Sequence, residues 1–181
     1  MSPFWPKEMI MRWAVWIVIA LAAIAGMVAL IGSRLPKAHT ATRTTKVKMP
    51  PDALFTLLSD VDNYKTWRRD VKHVERLPDR DGRPAWVEET STGKIPLFFE
   101  RMERPSLLVG RIADPTLSFG GAWTYRLTPT AGGSELSITE DGEVYNPIFR
   151  FMSRFVFGYT ATMDTFIKHL QARPGEGSPA R

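Results

Sequence analysis

The sequence predicts an α+β domain preceded by one membrane-spanning helix. Within the domain we expect seven antiparallel strands, two short helices and one long C-terminal helix. Three observations carry this prediction: an apolar run at residues 13–31, seven strand-like runs divided by Gly and Pro turn signals, and an amphipathic stripe through residues 147–170. Because sheets and amphipathic helices bury their apolar faces against each other, the last helix is expected to cover the sheet.

The apolar run, WAVWIVIALAAIAGMVALI, contains no polar side chain other than its two indoles. Nineteen helical residues span about 28 Å, close to the hydrocarbon thickness of a bilayer. Trp13 and Trp16 lie near one end, where indole rings favour the membrane interface. The run therefore predicts a membrane anchor. The alternative is a cleaved signal peptide with the small residues at 23–25 as its cleavage site, but the run is long for that role.

The chain divides into four segments on this interpretation. Residues 1–34 form the anchor and its flanks, 35–41 a linker, 42–172 the folded domain, and 173–181 a Pro/Gly-rich tail that we expect to be disordered. More Lys and Arg residues follow the apolar run closely than precede it. The positive-inside bias then predicts a single-pass membrane protein with a cytoplasmic domain.

The net charge of +5 belongs to the membrane flanks. Residues 1–50 carry seven Lys and Arg against one acidic residue, and the remainder carries 17 against 18. The folded domain therefore lacks the basic footprint of a nucleic-acid partner. No cysteine is present, and the three histidines show no metal-ligand spacing. Nucleotide-binding and serine-hydrolase motifs are also missing, so the sequence predicts no metal and no cofactor.

The strand-like runs lie at residues 42–49, 71–77, 85–90, 95–102, 107–113, 122–128 and 135–145. A first short helix is expected from Pro51 or Asp52 to Leu58, and a second within VDNYKTWRR. Asn146 is a good N-cap for the last helix, which we expect to run for about 25 residues with Gly158 as a candidate bend. A curved sheet around such a helix leaves room for a cavity.

The domain resembles the START/polyketide-cyclase-like superfamily, known as SRPBCC, over about residues 40–172. The segment PPDALFTLLSDVDNYKTWRRDVKHVE is similar to the entry pattern of that superfamily, and GGAWTYRLTP with SELSITEDGEVYNPIFRFMSRF is similar to its last two strands and final helix. The resemblance implies the helix-grip fold and a cavity for a lipid, sterol, polyketide or other apolar molecule. It does not choose among cyclases, hydrolases, carriers and sensors.

Glu140 is the candidate for chemistry. It shares a strand face with the apolar residues Leu136 and Ile138, so it would follow them into the cavity. A desolvated carboxylate there could act as an acid, a base or a ligand acceptor. The alternative is a salt bridge to an inward Arg, or a position at the open rim. We assign no catalytic residue beyond this candidate.

Further residues could line a pocket, although each is also explained as core or as an ordinary strand face. We further expect the aromatic start of the last helix, IFRFMSRFVFGY, to gate the pocket and face the bilayer. The predicted ligand-binding residues are Trp67, Trp86, Glu88, Phe98, Glu100, Trp123, Tyr125, Glu140, Phe151, Phe155 and Tyr159.

Three functions are compatible with these residues. The first is a non-catalytic, membrane-anchored module that binds a hydrophobic small molecule or lipid. The second is a cyclase or dehydratase in which Glu140, with Glu88 or Glu100, moves protons on a bound carbonyl compound. The third is a structural domain that binds a protein partner, which the sequence does not identify.

Overall fold

The computed structural model describes residues 6–91 and 93–173 of the 181-residue chain. The predicted tail at 174–181 lies outside the described residues. The helices are α1 (Lys7–Arg34), α2 (Pro51–Ser59), α3 (Tyr64–Trp67), α4 (Pro147–Met152) and α5 (Ala161–Gln171), with a 3-10 turn at Val61–Asn63 and a π-helical turn at Ser153–Phe157. The strands are β1 (Ala38–Val47), β2 (Val71–Arg80), β3 (Arg83–Thr90), β4 (Gly93–Glu103), β5 (Leu107–Ile112), β6 (Phe119–Thr130) and β7 (Gly133–Val144).

The strands form one antiparallel sheet in the order β1-β7-β6-β5-β4-β3-β2. This arrangement confirms the predicted α+β helix-grip fold. The concave face of the sheet is covered by α5, whose apolar residues Met163, Phe166 and Leu170 are buried. Helix α2 closes one end of the core with Leu54 and Leu58, which are almost fully buried.

Strand β1 begins earlier than its sequence pattern indicates. It starts at Ala38, inside the segment 35–41 that was expected to be a linker, because its backbone pairs with β7 from Ala38 opposite Glu143 to Val47 opposite Ser134. The Thr40 hydroxyl also donates a hydrogen bond to the Asp141 carboxylate at 2.7 Å. Three residues, 35–37, therefore separate α1 from the sheet.

The structure divides the expected long C-terminal helix at Gly158. Asn146 caps α4 as predicted, since its side chain accepts hydrogen bonds from the backbone N–H groups of Ile148 and Phe149. The chain then passes through the π-helical turn and reaches Gly158, whose φ of +77° is incompatible with a continuing right-handed helix. The helix that covers the sheet is consequently α5 alone.

Helix α1 is exposed along most of its length, and its last turns pack against α4. Its residues Glu8–Arg34 are long and apolar enough to cross a membrane, a test that a signal sequence near the N-terminus also passes. Gly32 permits close contact between the helices, because a Cβ there would lie 1.9 Å from the carbonyl oxygen of Pro147. The buried Arg150 guanidinium donates to the carbonyls of Gly32 and Leu35, both at 3.1 Å, and to that of Tyr145 at 2.9 Å.

Candidate functional site

A cavity of about 570 Å³ lies between the concave face of the sheet and α5. A volume of this size is typical of small-molecule sites. The strands contribute large side chains that alternate inward along β3, β4 and β6, and α5 contributes Met163 and Phe166. The aromatic residues around it include Tyr64, Trp86, Phe99, Trp123, Tyr125, Tyr159 and Phe166.

The exposed part of the lining marks the opening of the cavity. It comprises Ser91 in the β3–β4 turn, Glu143 at the end of β7, Phe157 and Gly158 in the helix break, and Ala161, Thr162 and Thr165 on α5. Antiparallel pairing brings the starts of β1, β4 and β6 and the ends of β3, β5 and β7 to one edge of the sheet. Because α1 runs directly into the start of β1, the opening lies at the end of the domain that carries α1.

One wall of the cavity holds a buried ion pair. The Arg68 guanidinium donates to the Glu88 carboxylate at 2.9 Å and to Asp70 at 2.8 Å. The indole N–H of Trp86 donates to the same Glu88 oxygen at 3.0 Å. His169 on α5 contacts the other oxygen of Asp70 at 2.9 Å, so the network ties the sheet to the covering helix.

The electrostatics of this network favour the charged forms of Arg68 and Asp70. Burial alone would lower the pKa of Arg68, but the charges of Glu88 and Asp70 outweigh burial and raise it. Burial likewise opposes the ionisation of Asp70, yet the hydrogen bond and charge of Arg68 hold its pKa below the usual range. The guanidinium also lies 5.1 Å from the Tyr64 ring centroid and 5.6 Å from that of Phe166. This wall therefore presents a fixed polar group within aromatic surroundings.

A second polar cluster is centred on Glu140. Its carboxylate accepts hydrogen bonds from the Trp123 indole N–H at 2.7 Å and from the Thr162 hydroxyl at 2.6 Å. His39 Nε2 lies 3.5 Å from the other oxygen, and the His39 ring stacks on Tyr159 with centroids 4.0 Å apart. Glu140 thus reaches the cavity as its strand position predicts, and its partners are an indole, a hydroxyl and an imidazole where an Arg was considered. In the described part of the chain, no group of three His, Asp or Glu residues could hold a metal ion.

The Tyr125 hydroxyl has no hydrogen-bond partner among the described residues, although Tyr125 lines the cavity. Burial raises the pKa of its phenol, the nearby Arg68 charge opposes this, and the carboxylates of Glu88 and Glu140 add to the increase. The hydroxyl therefore stays protonated at neutral pH and can donate a hydrogen bond to a molecule in the cavity.

Six of the eleven predicted ligand-binding residues line the cavity. Alternation along regular strands placed most of these six correctly, since β3, β6 and β7 keep their period of two through this region. The six are Trp86, Glu88, Trp123, Tyr125, Glu140 and Tyr159.

The two candidates on β4 point away from the cavity. Leu97 and Phe99 face the core, so regular alternation places Phe98 and Glu100 on the outer face. A bulge between Phe99 and Arg101 then returns Met102 to the core side, which breaks the alternation that grouped Phe98 and Glu100 with it. Phe98 lies under the Arg80 guanidinium at 4.5 Å, and Glu100 pairs with Arg111 at 2.8 Å.

The other three candidates are also outside the lining. Trp67 is a core residue, edge-on to Phe166 with ring centroids 5.4 Å apart. Phe151 and Phe155 pack against each other in the α4 and π-helical segment, with tilted rings whose centroids are 4.9 Å apart. The π-helical turn, which replaces the expected regular helix, brings Ser153 and Phe157 to the cavity instead.

Several lining residues have no local sequence signal. Arg68 and Asp70 follow α3, His39 lies at the start of β1, and all three meet partners distant along the chain. The local feature that marks Arg68 and Asp70 is a pair of opposite charges next to the aromatic residues of α3. Tyr64 lies in the segment similar to the superfamily's entry pattern and Phe166 in the amphipathic stripe, and neither pattern indicates a position in a cavity wall.

A curved antiparallel sheet closed by a C-terminal helix, with a cavity between them, defines the helix-grip class of proteins. The chain belongs to the family described as polyketide cyclase / dehydrase and lipid transport, whose sequence profile matches residues 38–173. This match confirms the resemblance to the SRPBCC superfamily. No curated protein sequence matches the chain.

Solved structures share the fold at low sequence identity. A START superfamily protein from Mycobacterium smegmatis is 16% identical, with a TM-score of 0.60 over 75% of this chain and 96% of that one. The Zhui aromatase/cyclase from a Streptomyces species is 15% identical, with a TM-score of 0.58 over 78% and 99%. The di-domain aromatase/cyclase StfQ of the steffimycin pathway is 15% identical, with a TM-score of 0.59, and the match covers 75% of this chain and 50% of StfQ. The chain thus spans about half of StfQ, and these likenesses show the fold alone.

Proposed function

We propose that the protein is a membrane-anchored module that binds a hydrophobic small molecule or lipid in its helix-grip cavity. The observation that carries this proposal is the 570 Å³ cavity with its largely aromatic and aliphatic wall. Burial of about 200 Å² of ligand hydrocarbon would contribute about 5 kcal/mol before ordering costs. Membership of a family that includes lipid transport supports the same class of ligand.

The polar groups of the cavity suggest the form of the ligand. Arg68 with Glu88 on one wall, Glu140 on another, and the free hydroxyl of Tyr125 present donors and acceptors within an apolar enclosure. A few placed polar groups in such surroundings fix the orientation of a ligand. We therefore expect an amphipathic molecule with one polar group.

Helix α1 is proposed as the anchor, with the folded domain on the cytoplasmic side. Its apolar residues are exposed rather than packed in a core, as expected for a span surrounded by lipid. The excess of Lys and Arg after the span supports the orientation.

Native mass spectrometry of the full chain, released gently from detergent, tests the binding function. We expect a retained lipid or other apolar molecule. Gly110 offers a blocking variant, because its Cβ position faces the cavity with Phe99 as the nearest contact at 3.9 Å. Gly110→Leu should fill part of the cavity and reduce the retained ligand at least tenfold.

Gly132→Leu is the matched control, because Gly132 is exposed in the β6–β7 turn and a Cβ there meets nothing within 4 Å. A folded wild-type chain that retains no apolar molecule would contradict the proposal and favour the structural, protein-binding alternative. Equal retention by the two variants would show that the ligand lies elsewhere.

A second candidate is proton-transfer catalysis of the cyclase or dehydratase type. The observation favouring it is that the Glu140 carboxylate reaches the cavity while held in place by Trp123 and Thr162. Glu140→Gln should then abolish turnover of a bound carbonyl compound and weaken its binding by no more than about tenfold, the value of one hydrogen bond. Unchanged turnover would exclude Glu140 as the proton donor or acceptor.

A further inference from the structure

An exposed apolar patch surrounds α4 and the π-helical turn. Its members, here called the aromatic patch, are Ile148, Phe149, Phe155, Val156 and Phe157, and the three phenylalanines are exposed by 53%, 58% and 63%. Clustered exposed phenylalanines are costly in water and mark an interaction surface. Apart from α1, no other described part of the chain exposes large apolar side chains in such a cluster.

The aromatic patch is fixed beside the end of the proposed anchor. Gly32 in the last turns of α1 meets the backbone of Pro147 at the start of α4, and Arg150 on α4 binds the carbonyls of Gly32 and Leu35. These contacts involve backbone atoms and a buried side chain, so α4 and the end of α1 form one packed unit. A bilayer that contains α1 therefore begins next to this patch.

The charges around the aromatic patch suit a phospholipid surface. Arg34 lies in the last turn of α1, Lys37 follows it, and Arg154 lies within the π-helical turn, and all three are exposed. Cations beside exposed aromatic rings are the composition of a segment that lies in a membrane interface. A protein partner would not explain why this surface adjoins an apolar helix of membrane-spanning length.

We propose that the aromatic patch inserts into the interface of the bilayer that holds α1, an inference that rests on the proposed anchor. Phe157 belongs both to this patch and to the cavity lining, at the edge of the opening. Inserting the patch therefore turns the opening toward the lipid. An apolar ligand can then pass between bilayer and cavity without crossing bulk water.

The absence of cysteine from the sequence allows a direct test. The full chain is placed in vesicles of mixed neutral and anionic phospholipid, and a nitroxide is attached at Phe149→Cys or Val156→Cys. Ala131→Cys, exposed in the β6–β7 turn at the opposite end of the sheet, is the control. The labels at 149 and 156 should collide several-fold more with oxygen, relative to a water-soluble nickel chelate, than the label at 131.

Equal nickel accessibility at all three positions would overturn the proposal. Protection from both reagents, together with dipolar broadening between labels, would also overturn it, because a second copy of the chain would then cover the patch. The readout needs no ligand in the cavity. Insertion without any retained molecule would therefore refute the binding function alone, and retained lipid with water-exposed labels would refute this inference alone.

Discussion

Removing the buried guanidinium of Arg68 should destabilise the domain, and removing the charge of its partner should restore much of the loss. The side chains of Arg68 and Glu88 are 13% and 6% exposed. Little water can therefore solvate either charge when its partner is removed. Arg68→Met keeps an apolar side chain beside the Tyr64 and Phe166 rings, removes the guanidinium that lies over them, and leaves the Glu88 carboxylate buried without its cation.

The expected loss in the free energy of unfolding depends on the hydrogen bond that Glu88 retains in the variant. Breaking a buried pair by removing one partner costs about 3–5 kcal/mol. Glu88 keeps the hydrogen bond from the Trp86 indole, so we expect about 3 kcal/mol for Arg68→Met. Glu88→Gln should cost about 1 kcal/mol, because its amide oxygen still accepts from Trp86 and Arg68 keeps Asp70. The double variant should then be about 2 kcal/mol more stable than Arg68→Met alone.

Urea unfolding of the full chain in non-ionic detergent, followed by far-UV circular dichroism, measures these differences. Urea is preferable to guanidinium because it leaves the ionic strength unchanged. The decisive comparison is between Arg68→Met and the double variant. If the two single costs simply add, the buried charge is not what destabilises Arg68→Met, and the reasoning fails.

Three further outcomes are expected. Tyr125→Phe should change the free energy of unfolding by less than about 0.5 kcal/mol, since its hydroxyl has no partner among the described residues, but weaken a hydrogen-bonded ligand up to about tenfold in Kd by native titration. Gly32→Ala should loosen α1 from Pro147 at a cost of about 1–3 kcal/mol and speed tryptic cleavage at the junction, whereas Gly26→Ala, with open space around it, should not. The pKa of Asp70 is lowered in the fold, so its stabilising contribution is complete above its unfolded pKa and is lost as pH falls through the folded value. In acid unfolding, the Asp70→Asn variant should therefore lose less stability than the wild-type chain over that pH range.

The strands were predictable because each carries its own local signal. Alternation, β-branched residues and Gly or Pro turns mark all seven in the sequence, and the structure has all seven in one antiparallel sheet. The ends of the strands were less predictable. Strand β1 is extended to Ala38 by pairing with β7, which lies about a hundred residues away in the chain. Local composition carries no information about such a partner.

The cavity was predictable where strands stay regular and unpredictable where they do not. Residues 95–102 have apolar side chains on both faces, so alternation alone does not choose the inner one. The bulge after Phe99 also puts Met102 on the same side as Leu97 and Phe99, so the grouping of Phe98, Glu100 and Met102 on one face fails. Phe98 and Glu100 were misplaced for that reason. Phe151 and Phe155 were misplaced because a π-helical turn is set by packing and has no sequence pattern of its own.

The Arg68 network depends on contacts that no spacing rule describes. Arg68 meets Glu88 across 20 residues, and Asp70 meets His169 across 99. Each residue taken alone resembles an ordinary surface charge. These residues are buried only because the fold packs α3 and α5 against the same part of the sheet.

The short connection between α1 and the sheet limits what the proposed binding module can do with its contents. Residues 35–37 span at most about 10 Å when extended. Arg150 holds the first end of that connection through the Leu35 carbonyl, and the Val144 N–H holds the other through the Lys37 carbonyl. A compartment tethered this closely moves with its membrane in two dimensions and has no reach to a second bilayer. Under the proposed function, its cargo would therefore be taken from and returned to one leaflet, or handed to an acceptor that comes to that surface, which fits local presentation better than transport between membranes.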